Sequence, residues 1–181
     1  MRKKVLVLSM LTITILSMLL MPAVLTKKGL NCPTYVQGDW WYIPQILDAR
    51  VCEYEPGMFN VILETDEEGL FTGGFEGTSY DYPCTVVVHD AEFDGEGNLI
   101  GFGSRYYTGI VNYEGMVDGI SGRLKMIVVG KQMWGEDWQG TWRIVKGYGL
   151  LAHVQGFGTW WGPGFLGGPD PGEIWYEGWI H

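Results

Sequence analysis

The stretch that decides the fold is residues 137–162, DWQGTWRIVKGYGLLAHVQGFGTWWG. The tripeptide Gly-Thr-Trp occurs in it twice, ending first at Trp142 and then at Trp160. Threonine and tryptophan favour the half-buried surface of a β-sheet, and the glycines between the two copies disfavour a helix there. The stretch therefore predicts two β-strands joined by a short connection.

Polar and apolar residues alternate along this stretch and along two segments before it. In residues 138–146, one face carries Trp138, Gly140, Trp142 and Ile144. In residues 105–115 and 122–130, the corresponding faces carry Tyr107, Val111, Tyr113, Leu124, Met126 and Val128. One apolar and one polar face are typical of an antiparallel sheet that covers a core. We expect these apolar faces to point inward.

The composition favours many short strands. The chain of 181 residues has 28 glycines, and aromatic residues make up 14% of it, a combination typical of strands and turns rather than of a helical bundle. We expect about eight to ten strands. Turns are predicted at residues 66–69 and 94–98, a break at Pro83, and an irregular loop at residues 162–172, which are rich in glycine and proline.

Three aromatic-Glu-Gly triplets indicate a closed sheet. They end at Gly77, Gly115 and Gly178. Glycine lets a strand bend where a side chain would clash, as a closing sheet requires. About eight to ten strands also suit a small barrel, whose interior holds side chains or one small ligand. The predicted fold is all-β, a single closed antiparallel β-barrel over residues 38–181 that follows an N-terminal hydrophobic helix.

Residues 1–28 are predicted to be an export segment. Three basic residues at positions 2–4 precede an uncharged run at positions 5–25. The run is longer than the core of about 7 to 15 residues in a usual signal peptide and close to the about 20 that span a membrane. The segment is thus a signal peptide or a signal-anchor helix, with residues 29–37 as a tether. In both cases the domain is expected outside the cytoplasm, membrane-anchored or secreted.

The charge of the chain excludes one class of partner. All 21 acidic residues follow residue 30, but only 7 of the 12 basic residues do, so this part of the chain carries 7 − 21 = −14. A surface this acidic repels phosphate backbones. We therefore expect no binding to nucleic acids.

The sequence contains no recognisable catalytic or metal-binding motif. A nucleophile elbow, a Cys-x-x-Cys pair, an HExxH helix and a phosphate-binding glycine loop are all missing. His89 precedes Asp90, but neighbours in a strand point to opposite faces and cannot act as an acid–base pair. We therefore assign no catalytic residue, no metal site and no cofactor.

Three cysteines are available, at positions 32, 52 and 84. Disulfides persist outside the cytoplasm. Cys52 and Cys84 both fall within the packed part of the chain, so they are the candidate disulfide. The alternative is that they are buried free thiols, because cysteine also behaves as a small apolar residue.

The opening stretch also resembles a family of uncharacterised prokaryotic proteins with an allene oxide cyclase-like β-barrel. The shared parts are a strand ending near Gly-Thr-Trp at Trp142, a Gly-x-Gly-x-Leu turn at 147–151 and Gly-x-Gly-Thr at 156–159. Residues 40–44 and 176–181 resemble the opening and closing strands of that family. The resemblance implies a closed barrel. The wider superfamily includes plant allene oxide cyclases and dirigent proteins, which bind small apolar molecules inside the barrel, but none of their functional residues can be placed on this chain.

The aromatic residues are the candidate ligand contacts. Tyr113, Trp142 and Trp160 lie on or near the apolar faces, where they would line the barrel and bind a small apolar molecule; they could equally fill a small core. The leading prediction is therefore an extracytoplasmic binding or structural module. One alternative is a cyclase- or isomerase-type enzyme acting on an apolar substrate in the barrel. Another is a surface module that stacks sugars on tryptophans, with the candidates Trp40, Trp41, Trp161, Trp175 and Trp179.

Overall fold

The structure, a computed structural model, describes residues 32–164 and 171–181. These residues form nine antiparallel β-strands in one sheet, so the all-β prediction is confirmed. The strands are β1 (Thr34–Glu55), β2 (Met58–Phe71), β3 (Phe75–Phe93), β4 (Leu99–Gly101), β5 (Ser104–Val117), β6 (Ile120–Met133), β7 (Trp138–Gly149), β8 (Gly156–Gly164) and β9 (Gly172–Ile180).

Eight of the nine strands pair into a closed ring. Their order is β2–β1–β9–β8–β7–β6–β5–β3, and β3 pairs again with β2. The short β4 pairs with β3 outside the ring. The pairing of β9 with β1 extends only from Thr34 to Tyr42. Beyond Tyr42, β1 continues with β2 as its sheet partner. The β1–β2 hairpin therefore projects past the side of the ring where β9 begins.

The start of the domain differs from the prediction. The export segment and the beginning of the tether, residues 1–31, lie outside the described residues. Residues 34–37, which the sequence assigned to the tether, already pair with β9, starting at Thr34 opposite Ile180. None of the residues that the structure describes forms a helix with the length and apolar character that a membrane crossing would need.

The predicted apolar faces of β5, β6 and β7 point into the ring. Trp138, Trp142 and Ile144 on β7 are buried, which confirms the inward face of that strand. They belong to one apolar cluster that fills the ring, together with side chains from the other seven ring strands. A smaller cluster consists of Val61 of β2, Val88 and Ala91 of β3, and Phe102 between β4 and β5.

Tryptophan rings cover pairs of glycines inside the ring. Gly158 of β8 lies opposite Gly178 of β9. A Cβ atom would lie 2.6 Å from the Trp142 ring at Gly158 and 2.4 Å from it at Gly178, well inside van der Waals contact. The Trp142 Nε1–H donates to the Glu177 carbonyl at 3.1 Å. Only glycine therefore lets these two strands approach the indole so closely.

Two predicted interruptions of the sheet are wrong. Residues 66–69, expected to form a turn, lie inside β2, and the turn between β2 and β3 falls at residues 72–74 instead. Pro83 does not end a strand either, since it lies within β3 at a register shift between Asp81 and Cys84. Hydrogen bonding to both neighbouring strands overrides the weak strand preference of these acidic and proline-containing stretches.

The predicted disulfide is not formed. Cys32 and Cys52 are exposed free thiols, and Cys84 is a buried one. Cys52 lies opposite Asn60 of β2, whereas Cys84 lies opposite Thr65 of the same strand. Five residues at about 3.3 Å each separate these two positions by roughly 16 Å. The Cα atoms of a disulfide lie within about 7 Å of each other.

Replacing Trp142 by alanine is expected to reduce the free energy of unfolding by about 3 to 5 kcal/mol, because the indole is buried against two strands. The neighbouring Thr141 is exposed, and its replacement by alanine should cost less than about 1 kcal/mol. Chemical denaturation of both variants makes the comparison. Equal losses would show that the inward face of β7 is assigned wrongly.

Candidate functional site

A cavity of about 190 Å³ lies inside the ring, on the side where the β1–β2 hairpin projects. Ile46 in its wall is 65% exposed, whereas Trp40 is 4% exposed, so the cavity leads from solvent into the core. Most of its walls are apolar or aromatic: Trp40, Tyr42, Pro44, Ile46, Leu63, Val86, Trp138, Trp160 and Ile174. Its polar walls are Thr65, Glu67, Arg105 and Tyr107.

The alternation of β2 and β5 places these polar residues in the cavity. Side chains two residues apart in a strand lie on the same face. Leu63, Thr65 and Glu67 therefore share the inner face of β2, and Arg105 and Tyr107 share that of β5. The inner face of β2 begins apolar and becomes polar toward the middle of the strand.

Two carboxyl groups lie side by side at the polar part of the cavity. Glu67 of β2 and Asp81 of β3 are direct partners in the antiparallel register. Glu67 is 4% exposed and Asp81 is fully buried. The Tyr107 hydroxyl donates to Glu67 Oε2 at 3.1 Å, but neither carboxyl group forms an ion pair with a described residue. Two such neighbours cannot both be ionised in a buried place at low cost.

Burial keeps these carboxyl groups protonated at unusually high pH. Burial raises the pKa of Glu67 to about 7, although the hydrogen bond from Tyr107 acts in the opposite direction. The pKa of Asp81 is raised well above its ordinary value, first by burial and then by the adjacent Glu67. The nearby Ser79 hydroxyl opposes this shift, but it forms no hydrogen bond of regular geometry with Asp81.

Several buried polar atoms around the pair have no hydrogen-bond partner among the described residues. They are Trp40 Nε1, Thr65 Oγ1, Ser79 Oγ and both carboxyl oxygens of Asp81. Buried polar atoms are nearly always paired in native proteins. Trp40 and Thr65 also line the cavity, so their unpaired atoms are available to a molecule inside it.

Cys84 and Arg105 complete the surroundings of the site. The Cys84 thiol lies 3.3 Å from the Tyr107 hydroxyl, and burial raises its pKa to about 12, so it is a neutral thiol and a poor nucleophile. Arg105 lies over the rings of Phe102 and Trp138, at 5.1 and 4.9 Å from their centroids. Burial lowers the pKa of Arg105, but a guanidinium stays protonated in proteins.

The residues predicted as ligand contacts fall in different places. Trp160 lines the cavity. Trp142 borders a separate void of only about 20 Å³, and Tyr113 packs in the core, where its hydroxyl donates to the carbonyls of Glu76 and Met116. Of the three, only Trp160 is part of the site.

Among the tryptophans predicted as sugar contacts, Trp40 is buried and lines the cavity. The exposed Trp41, Trp161 and Trp179 lie on the outer face of β1, β8 and β9, where a surface ligand could reach them. His89 Nδ1 lies 3.1 Å from Asn60 Oδ1, and no acidic side chain among the described residues pairs with this histidine. Within the described ranges, no three His, Cys, Asp or Glu side chains come together as a metal site requires.

Sequence reasoning missed Glu67 and Asp81. It placed Glu67 in a turn because acidic residues surround it, and it left Asp81 in a gap because proline follows two positions later. One signal could have found both residues. The alternation that begins at Val61 carries on through Glu67 to Phe71, and the alternation from Phe75 reaches Asp81, so both carboxyl groups fall on the apolar faces.

The raised pKa of Glu67 predicts a specific dependence of stability on pH. The folded protein holds a proton on Glu67 that the unfolded chain releases at lower pH, so the free energy of unfolding falls as pH rises from about 4.5 to about 7. Glu67→Gln should reduce this fall by on the order of 3 kcal/mol. Urea denaturation at several pH values measures this fall in the free energy of unfolding. Glu68→Gln is the control, because Glu68 is exposed. If the free energy of unfolding of Glu67→Gln depended on pH as that of the unsubstituted protein does, Glu67 would not have the raised pKa.

No family model matches the chain, and no curated protein matches it either. Among solved structures, the chain is similar to a protein of unknown function from the DUF3224 family of Shewanella oneidensis MR-1, with a TM-score of 0.59 and 17% sequence identity. The match covers 83% of this chain and 98% of that one. At this identity the similarity shows a shared fold and does not extend to chemistry.

Proposed function

We propose that this protein is a binding module for a small apolar molecule, held in the cavity of a closed, allene oxide cyclase-like β-barrel. The ring of eight paired strands supports the barrel. The observation that carries the function is the cavity itself, with its mainly apolar and aromatic walls. Such concave apolar sites with a few polar groups are the usual form of ligand pockets.

The size of the cavity limits the ligand. Pockets for drug-sized molecules have about 300 to 1,000 Å³, whereas an apolar cavity of about 150 Å³ takes up benzene. A cavity of about 190 Å³ therefore suits one aromatic ring with a short substituent, or an aliphatic molecule of that size.

The proposed place of action is outside the cytoplasm. The basic residues at positions 2–4 and the uncharged run at positions 5–25 support export. Residues 1–28 would then either anchor the domain to the membrane or be removed on secretion. The acidic remainder of the chain supports a partner other than nucleic acid.

Ethylbenzene is a suitable first probe, since it is one ring with a short substituent. We expect isothermal titration calorimetry to detect its binding to the purified protein. Leu63→Trp should abolish this binding by filling the cavity, whereas Ile62→Trp, one residue away and exposed on the outer face, should leave the affinity within about twofold. Near-ultraviolet circular dichroism checks that Leu63→Trp is folded. If the folded variant still binds ethylbenzene, the cavity is not the binding site.

The second candidate function is an isomerase- or cyclase-type enzyme, and the buried pair Glu67 and Asp81 favours it. A carboxyl group with a pKa of about 7 can accept and return a proton at neutral pH. The test is to extract any molecule that co-purifies and incubate it with the protein in D₂O. Catalysis would be supported if the extracted molecule takes up deuterium at carbon with the unsubstituted protein but not with Glu67→Gln. If it takes up none with either protein, only the proposal of a binding module remains.

A further inference from the structure

The polar part of the cavity gains a negative charge when Glu67 loses its proton, and no ion pair within the described residues neutralises that charge. Glu67 and Thr65 line the cavity, and Asp81 lies beside Glu67 as its register partner on β3. We call these three residues the acidic end. Arg105 also lines the cavity. Its Nε–H donates to Gln132 Oε1, and it forms no ion pair with Glu67 or Asp81 within the described ranges.

Hydrogen-bond acceptors are in excess at the acidic end. Both oxygens of Asp81 lack a donor among the described residues, and so does the Thr65 hydroxyl. Tyr107 supplies one hydrogen bond to Glu67, which leaves further acceptor positions on that carboxyl group, since a carboxylate has about four. When Glu67 is ionised, these acceptor positions therefore suit a ligand group that brings several donors.

The remaining walls of the cavity are suited to a cation. The rings of Trp40, Trp160, Tyr42 and Tyr107 line it, and the Trp138 ring in the same wall already has the Arg105 guanidinium over it. The face of an indole attracts a cation, most strongly where water is excluded. Aromatic walls beside carboxyl groups are a combination that favours an ammonium group over a neutral one.

We propose that the ligand of this cavity carries a protonated amino group, which the acidic end binds while the aromatic walls hold the apolar remainder. This inference rests on the proposed function and specifies its ligand as a small apolar amine. The ammonium group would donate to the Glu67 carboxylate and to the Thr65 hydroxyl. The neighbouring Asp81 would stay protonated, because burial and the adjacent Glu67 raise its pKa. Charge-assisted hydrogen bonds of this kind are about twice as strong as neutral ones.

Binding of an amine should be linked to pH. A cation favours the ionised form of Glu67, so the affinity should rise with pH as the proton on this carboxyl group is lost. The titratable groups next to Glu67 on the other strands are Asp81 and Cys84 on β3 and Tyr107 on β5. Tyr42 on β1 and the positively charged Arg105 on β5 line the same cavity. The thiol and the Tyr107 hydroxyl stay neutral, because burial raises the pKa of both.

Benzylamine and ethylbenzene provide a matched test, since they differ in shape only by an ammonium in place of a methyl group. Calorimetry on the full chain at about pH 8 should show benzylamine binding at least about tenfold more tightly, the effect of one charge-assisted hydrogen bond. At about pH 5.5 this advantage should shrink to less than about threefold. Glu67→Gln should remove this advantage at pH 8, whereas the exposed Glu68→Gln should change neither the advantage nor the affinity for ethylbenzene.

Each other outcome would overturn the inference. If ethylbenzene binds and benzylamine binds no more tightly, the ligand is not an amine. The proposal of a binding module for an apolar molecule would then still stand. Failure of both probes would remove the proposed function as well. A loss of affinity for both probes in Glu67→Gln would mean that this residue acts on the shape of the cavity. An equal loss of benzylamine affinity in Glu68→Gln would assign the effect to surface charge.

Discussion

The ring of strands depends on the close approach of backbone to aromatic rings inside it. Trp142 lies against Gly158 and Gly178, and Trp160 lies in the same way against Gly130 and its register partner Gly140, where a Cβ atom would come within 2.2 and 2.3 Å of the indole. Each indole donates to a backbone carbonyl at 3.1 Å. Large side chains thus replace what the glycines lack, and the strands can curve without leaving a void.

The same packing determines where the cavity lies. Around Trp142 the aromatic rings fill the interior almost completely, since the void there has only about 20 Å³. Beyond Trp160 the inward side chains of β2 become polar, and the β1–β2 hairpin continues past the end of β9. One side of the ring is therefore a packed core and the other is an open cavity. Trp160 belongs to both, because it closes the core and lines the cavity.

Burial of Glu67 and Asp81 is costly for stability, because a carboxyl group loses its hydration inside an apolar ring. The protein lowers this cost by keeping protons on the pair, as the raised pKa values indicate. Groups with strongly shifted pKa values inside a cavity are more frequent at functional sites than elsewhere. Such a pair suits both candidate functions. It can recognise a cation, and it can exchange a proton with a bound molecule, so the ligand decides between them.

The sequence alone determined the strand-rich fold, the inward faces of β5, β6 and β7, and the place of Trp160, because period-two alternation and glycine positions are local properties that any sheet shares. The strand pairings that close the ring and the choice of cavity side came only from the tertiary structure, since pairing of β9 with β1 joins residues that are far apart in the chain. The same holds for the acidic end. Glu67 and Asp81 look like surface residues in sequence, and they become a site only because the β2–β3 register places them opposite each other inside the ring.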